Sequence, residues 1–476
     1  MDYQQENEHL KQKIQELEAS LQAAQQQIAK LTALLKQDSR NSHWPSSRDK
    51  SRQKKQTKSL RRKSDKKPGG QKGHEGHTLT MSDAPDLVTV HRPHTCEHCQ
   101  QPFPHEQSAV AVDKRQVHDL PSLQVVVTEH QAETLCCRHC HQLSRGTFPP
   151  DVVTPVQYGT SIQQLVVYLK SEQYIPYDRS RQFLADLFDL NLSPGTLQNI
   201  VARTAKRLQP IVTQIKTALI TGRTLHCDES GFYIGGKRHW LHVAATKTLT
   251  CYYPHQRRGR QATDDMGILP YFRGTAIHDF WSAYRAYQAC QHGLCNVHHL
   301  RDLTAVAENG NQAWASRFKW FLLSAKQVVD QAQLAGETAL PLAKVAQIER
   351  LYDRLIGIAL QANAPPPGGW PRGKRGRPKK TKPCNLVERL DQHRHEVLAF
   401  AYDFKVPFDN NLAERDIRML KVQQKISGCF RSQAGAKDFC TIRSYLSTMR
   451  KQGVNVWSAI ASVLSGKILM PDLSPV

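Results

Sequence analysis

The stretch TLHCDESGFYIGGKRHWLHVA, Thr224 to Ala244, decides the fold. Its apolar residues recur with period two, after a long region whose period is helical. Thr224-Leu-His-Cys-Asp228 reads as a short strand ending in a carboxylate. Phe232-Tyr-Ile followed by Gly235-Gly236 signals a two-residue hairpin, whose central positions need positive φ. Trp240-Leu-His-Val-Ala244 and Leu249-Thr-Cys-Tyr-Tyr253 supply two more strands. A helix-compatible stretch ends near Leu269, and Gly274-Thr-Ala-Ile-His-Asp279 is a further strand that ends in Asp. Leu294-Cys-Asn-Val-His298 reads as a fifth strand, with a helix after it.

Three meandering strands, then alternating helices and strands, is the order of an RNase H-like α/β sheet. Its chemistry sets carboxylates from the first and fourth strands side by side and adds one from a later helix. Such acids hold two divalent ions about 3.5–4 Å apart for phosphodiester displacement. Oxygen ligands suit Mg²⁺ or Mn²⁺. The third acid is sought at a helix start. Pro407-Phe-Asp-Asn-Asn411 caps a helix with Leu412, Ile417 and Leu420 on its apolar side, and Glu414 sits in its first turn. The bland alternative makes Glu414 and Arg418 a surface ion pair worth ~0.3 kcal/mol. Glu229 follows Asp228 on the same strand and so points to the opposite face, which disfavours it as a ligand.

Upstream, Leu10, Ile14, Leu17, Leu21, Ala24, Ile28, Leu31 and Leu35 keep a 4-3 spacing uninterrupted by Gly or Pro. That seam predicts a coiled coil over residues 1–38, and with it a homo-oligomer. An amphipathic helix packed on its own domain is the alternative. A basic-region zipper is excluded by order, because the basic run here follows the zipper. Residues 39–80 form a basic, Ser/Gly-rich linker. Cys96-x-x-Cys99 and Cys137-x-x-Cys140 stand 37 residues apart. Each pair places two thiolates on one tight turn, and two such knuckles complete a structural, closed Cys₄ Zn²⁺ site. Cys136 is a worse-spaced substitute for Cys137. Residues 151–220 are helical in period, with a helix-turn-helix signal at Phe183–Phe188, Asn191–Gly195 and Thr196 onward; two ordinary packed helices fit equally well.

Downstream, 134 residues lie between Asp279 and Glu414, far more than a minimal sheet needs. Helical patterns at Trp314–Val345 and Ile348–Gln361 mark an insertion whose tail, Lys374-Arg-Gly-Arg-Pro-Lys-Lys380, is basic. Arg-Gly-Arg-Pro is similar to an AT-hook core suited to a narrow A·T minor groove, though non-specific phosphate contact is the stronger reading.

The chain of 476 residues carries a net charge of +23. Arg48–Lys72 holds twelve lysines and arginines against Asp49 and Asp65, and Arg372–Lys382 holds seven with no acid. The excess argues for DNA before membrane. Candidate phosphate contacts are Lys54, Lys55, Arg61, Arg62 and Lys63, with Lys374, Arg375, Arg377, Lys379 and Lys380. No apolar run approaches a membrane span, the opening residues do not read as a secretory signal, and twelve cysteines are too few for a disulfide scaffold. The expected location is cytoplasmic and nucleoid-associated.

Several motifs then converge on one family. Pro68-GGQKGHEG-His77, the paired CxxC, Cys227-Asp-Glu-Ser-Gly231, His278-Asp-Phe-Trp-Ser-Ala-Tyr284 and above all Val406-PFDNNLAERDIRMLKVQQKISGCFRS-Gln433 make the chain resemble the insertion-sequence sixty-six transposases of TnpC type, a branch of the DDE transposases. The resemblance runs to about residue 455. It implies Asp228, Asp279 and Glu414 as the catalytic, Mg²⁺-holding set. It implies strand cleavage at terminal inverted repeats and strand transfer into target DNA, with small companion proteins of the same element as candidate partners. It also covers Cys295-Asn-Val-His298 with Arg301, similar to a CxxH signature that organises the active-site region. Many members carry Trp-Ala inside that signature where this chain has Asn-Val, and Ala-Arg-Arg after it where this chain has His-Leu-Arg, which leaves a role for His299 open. A zinc site from Cys290, His292, Cys295 and His298 is the alternative there. A DNA-binding regulator, a non-transposing nuclease of the same fold and an inactive relic are the rival functions.

The expected architecture is multidomain α+β. A coiled coil (1–38) and a linker (39–80) precede a zinc-binding domain (81–150) and a helical DNA-binding region (151–220). The catalytic core (221–305) is interrupted by a helical insertion with a basic loop (306–400), resumes over 401–455, and ends in a tail (456–476).

Overall fold

The computed structural model describes residues 3–35, 41, 79–121, 123–310, 312–371 and 380–474. The chain divides into two compact units, Gln56–His130 and the combination of Met1–Lys55 with Gln131–Val476. The described part of the smaller unit has little regular secondary structure. Its one knuckle is pinned by a bridge between Thr95 and Pro102 and by Arg92, whose Nη1 donates to the His105 carbonyl at 2.8 Å.

The larger unit is α+β with a mixed sheet. It begins with helix α1 (Tyr3–Leu35) and a short hairpin of β1 (Thr134–Cys136) and β2 (Leu143–Arg145). Three helices follow, α2 (Thr160–Ser171), α3 (Tyr177–Phe188) and α4 (Pro194–Ile220). Asp189 ends α3 in the left-handed conformation, and Ser193 caps α4 by accepting the Thr196 N–H. The sheet strands are β3 (Thr224–Ile234), β4 (Lys237–Ala245) and β5 (Thr250–His255), then, after α5 (Arg260–Met266), β6 (Thr275–His278) and β7 (Gln291–Leu294). Helices α6 (Asn296–Gly310), α7 (Ala313–Leu334), α8 (Leu342–Ala362), α9 (Lys382–Gln392) and α10 (Arg394–Tyr402) form the insertion. The chain closes with α11 (Asn411–Ser427), α12 (Gln433–Lys451) and α13 (Val456–Leu464).

Spatial order in the sheet is β5-β4-β3-β6-β7, with β3 to β5 an antiparallel meander and β6 and β7 parallel to β3. Gly235 and Gly236 turn the first hairpin at φ +54° and +76°, as their sequence required. One sheet face packs on α4 and α12, the other on α11. The outer edge of β5 is capped rather than left open. The Thr250 and Tyr252 N–H groups donate to Thr448 Oγ1 at 3.0 Å and Ser444 Oγ at 2.9 Å from α12.

The insertion has its own core around Trp314, Phe318, Phe321 and Tyr352, and that core runs on through Phe400 to Phe408 and Leu294. It therefore braces the segment that leads into α11. Three sequence expectations shift. The fifth strand lies at Gln291–Leu294, not Leu294–His298, because Cys295 ends the strand and Asn296 opens α6. The expected first strand and the Phe232-Tyr-Ile strand are one continuous β3. The segment read as a tail contains α13, whose Val456, Ala459, Ile460 and Val463 are buried against α2, α4 and α12. In α1, Ile14, Leu17, Leu21, Ile28 and Leu31 are all more than half exposed, so among the described residues nothing covers these seam positions.

Candidate active site

The parallel pairing of His226 with Ile277, carried two residues on, sets Asp228 beside Asp279; Asp228 lies in the middle of β3, not at the strand end expected of it, because β3 runs on to Ile234. Asp279 lies just past β6, and its Oδ1 accepts the Trp281 N–H at 2.9 Å, which turns the chain away from the sheet. The pKa of Asp228 is raised well above the ordinary carboxylate range. Burial is the largest cause, followed by the charges of Glu229, Asp279 and Glu414, while the Glu229 N–H bonded to its Oδ1 opposes the shift. Asp279 and Glu414 thus both act on Asp228 through space.

Glu414 sits in the first turn of α11, where the helix N-terminus favours a negative charge. Its Oε1 is buried without a hydrogen-bond partner. A lone buried carboxylate oxygen is costly, so this atom fits a bound cation. One oxygen of Glu414, Cys295 Sγ and a ring nitrogen of His298 all lie within 4.8 Å of one another. The CxxH pair therefore meets the third acid directly. Arg301 follows half-buried on α6. The alternative grouping with Cys290 and His292 is not formed. His292 turns instead to His278 Nε2 at 2.9 Å and to the Tyr287 carbonyl at 2.9 Å.

Sequence reasoning treated Asn410 as part of a helix cap and missed its role. Its side chain does not cap α11. Nδ2 donates to the Cys227 carbonyl at 2.7 Å, and Oδ1 accepts from His226 Nδ1 at 2.9 Å. Its backbone N–H donates to Cys295 Sγ at 3.2 Å, and its carbonyl accepts the Glu414 N–H at 3.2 Å. One residue thus ties the strand of Asp228, the CxxH turn and the helix of Glu414. His226 is neutral, its pKa lowered to about 4 by burial before all else. Beside this network opens a cavity of about 630 Å³, whose lining includes Arg223, Lys247, Lys326, Lys405 and Arg415.

Glu229 faces away from Asp228, as the strand alternation required. Its Oε1 accepts from Arg258 Nε at 2.8 Å and Nη2 at 2.7 Å, and its Oε2 accepts from the Tyr284 hydroxyl. The Arg258 guanidinium lies 3.8 Å from the Trp281 ring centre and 4.9 Å from that of Trp240. Glu229 is therefore spent on holding the Asp279 turn against β5.

Each CxxC forms the same tight turn. The Cys96 N–H donates to the Gln101 carbonyl and that of Cys137 to the Gln142 carbonyl, at 2.9 and 2.8 Å. Gln100 and His141 adopt φ of +62° and +55° at equivalent places. N–H groups of Cys99 and His98 lower the Cys96 thiol pKa, and those of Cys140 and His139 lower that of Cys137. The first knuckle belongs to the small unit and the second to the large one. Lys54, Lys55, Arg61, Arg62, Lys63, Lys374, Arg375, Arg377 and Lys379 lie outside the described residues, while Lys380 pairs with Glu388.

Residues 155–438, which contain all three acids and the CxxH pair, match the Transposase IS66 family. The chain belongs to that family. As an IS66 transposase it is a DNA-cleaving, DNA-binding enzyme of an insertion element. Residues 2–80 match a family of unknown function (DUF6444). No curated protein matches the chain. Among the described residues of this transposase, no helix is long and apolar enough to cross a membrane.

Proposed function

We propose that this transposase is a DDE enzyme of an RNase H-like fold, and that Asp228, Asp279 and Glu414 carry the reaction. The observation that carries the reading is the approach of Asp279, just past β6, and Glu414, at a helix start, to Asp228 on the neighbouring parallel strand β3. The sheet order supports the fold assignment.

The donor set suits hard divalent ions. Asp228 is pushed towards protonation by its neighbours, and Glu414 offers a buried oxygen with no other partner. Mg²⁺ or Mn²⁺, when bound, would neutralise the charge that develops on phosphate during in-line displacement. Asp228 and Asp279 would hold the cations from the sheet, and Glu414 would close the site from α11. Asn410 fixes the distance between the two sides. A water attacks the phosphodiester at the element's end, and the 3′-oxygen leaves. That 3′-hydroxyl then attacks a phosphodiester of target DNA at the same acids, and the target strand's own 3′-oxygen leaves as the new bond forms. No side chain bonds to DNA, so no Ser or Tyr nucleophile is required.

Cys96, Cys99, Cys137 and Cys140 are assigned to structural Zn²⁺ binding. The exposed seam of α1 is assigned to self-association, the basic runs and the Arg/Lys-lined cavity to DNA phosphates. The test uses the purified chain with labelled DNA bearing the element's terminal repeats and Mg²⁺, beside Asp279→Ala. Cleavage at the repeat boundary by the wild type alone supports the reading. Repeat binding with no cleavage, even after the companion proteins are added, favours a DNA-binding regulator instead.

A further inference from the structure

Three donors of mixed softness converge at one edge of the acid cluster, where oxygen chemistry alone would not call for them. Cys295 Sγ, a ring nitrogen of His298 and an oxygen of Glu414 lie within 4.8 Å of one another. Cys295 is 1% exposed, whereas His298 and Glu414 are half-buried, so the cluster has a dry floor and an open side. The Asn410 N–H points at Cys295 Sγ at 3.2 Å, the kind of outer bond that orients a metal-bound thiolate. Glu414 Oε1 is buried without a hydrogen-bond partner.

We propose that Cys295, His298 and Glu414 form a binding site for a borderline-soft divalent ion of the Zn²⁺ or Co²⁺ class, distinct from the hard-ion site at Asp228 and Asp279. Sulfur, imidazole and carboxylate together are a zinc-type donor set, with a fourth position left for water, while Mg²⁺ takes oxygens. Zinc bonds of roughly 2.0–2.3 Å bring such donors to about 3.5 Å of one another, so binding needs a contraction of about 1 Å. The half-buried side chains of His298 and Glu414 are the ones placed to make it.

The site shares Glu414 with the acid triad. Resting on the proposed DDE reading, this makes a zinc-class ion a competitor: it draws Glu414 away from Asp228 and Asp279, and micromolar Zn²⁺ slows Mg²⁺-dependent cleavage. The binding itself does not depend on that reading.

The test is a Co²⁺ titration of the metal-stripped full chain, followed in the near ultraviolet, with bound metal counted by elemental analysis. Wild type is compared with Cys295→Ser and with His298→Gln. The half-exposed His298 keeps the test sharp if the buried serine disturbs folding. The CxxC cysteines are present in all three proteins, so their signal cancels. The expected result is one metal equivalent more in the wild type than in either variant, and loss from Cys295→Ser of the thiolate-to-cobalt band that the extra ion contributes. Equal metal content and superimposable spectra in the three proteins overturn the proposal. No DNA is present in the titration, so its failure leaves cleavage by the three acids standing, and a failure of cleavage leaves the metal count standing.

Discussion

Replacing Asn410 by alanine removes the two hydrogen bonds of a side chain that is 2% exposed. It strands the Cys227 carbonyl and the Nδ1–H of His226, both buried. Each satisfied bond is worth about 1 kcal/mol net, and each orphaned buried group costs about 1–3 kcal/mol. Asn410→Ala is thus expected to lose about 2–4 kcal/mol of stability. The more telling effect is on geometry. The Glu414 N–H and Cys295 Sγ bond the backbone of Asn410, so freeing its side chain lets the start of α11 drift from β3. Mn²⁺ affinity should fall about tenfold or more, while repeat-DNA binding by the basic segments is kept. Urea denaturation gives the first number, and titration with Mn²⁺ followed by electron paramagnetic resonance gives the second. A loss below about 0.5 kcal/mol with unchanged Mn²⁺ affinity would refute the clamp. Normal Mn²⁺ affinity with a full stability loss would reduce Asn410 to a packing residue.

Three further outcomes follow from the same geometry. Arg258→Ala leaves the buried Glu229 carboxylate without its cation and should cost about 3 kcal/mol, most of it recovered in the double variant with Glu229→Gln; additive losses in a urea-denaturation cycle contradict the pairing. His242 is buried with its pKa lowered to about 4, burial being the main cause. The unfolded chain binds this proton near 6.5, so stability should fall as pH drops from about 6.5 towards 4, by up to about 3 kcal/mol. His242→Gln should flatten that part of the urea-midpoint profile, and an unchanged profile contradicts it. Leu17→Glu with Leu21→Glu charges an exposed apolar seam and should lower the oligomeric state seen by light scattering, leaving Mg²⁺ dependence untouched.

The parts of the fold that show in the sequence are those fixed by local pattern. Period-two runs and Gly235-Gly236 specify the β3–β4 hairpin, and the expected acid, Asp279, directly follows β6. Glu414 falls in the first turn of α11. The parts that did not show depend on partners far along the chain. β7 is Gln291-His-Gly-Leu294, polar and short, and its Gly293 sits where a Cβ would come 3.0 Å from Val406 Cγ1. No local signal marks such a strand, whereas the apolar Cys295 and Val297 imitate one at the start of a helix. The α13 helix is short and follows a Gly453 turn, and only its packing on α2 and α4 distinguishes it from a tail. Asn410 lies in a cap-like run, and its partners are 183 and 184 residues away. Even so, an asparagine directly before the helix of a candidate catalytic acid was a signal within reach.

The most direct measurement compares Mg²⁺-dependent cleavage of terminal-repeat DNA by the wild type with that by Asp228→Asn, Asp279→Asn and Glu414→Gln. Each carboxylate becomes a near-isosteric amide, and repeat binding is measured alongside as a folding control. The expected result is cleavage reduced to background in all three variants with repeat binding retained. Cleavage at the wild-type rate by any one of them would remove that residue from the site and contradict the account.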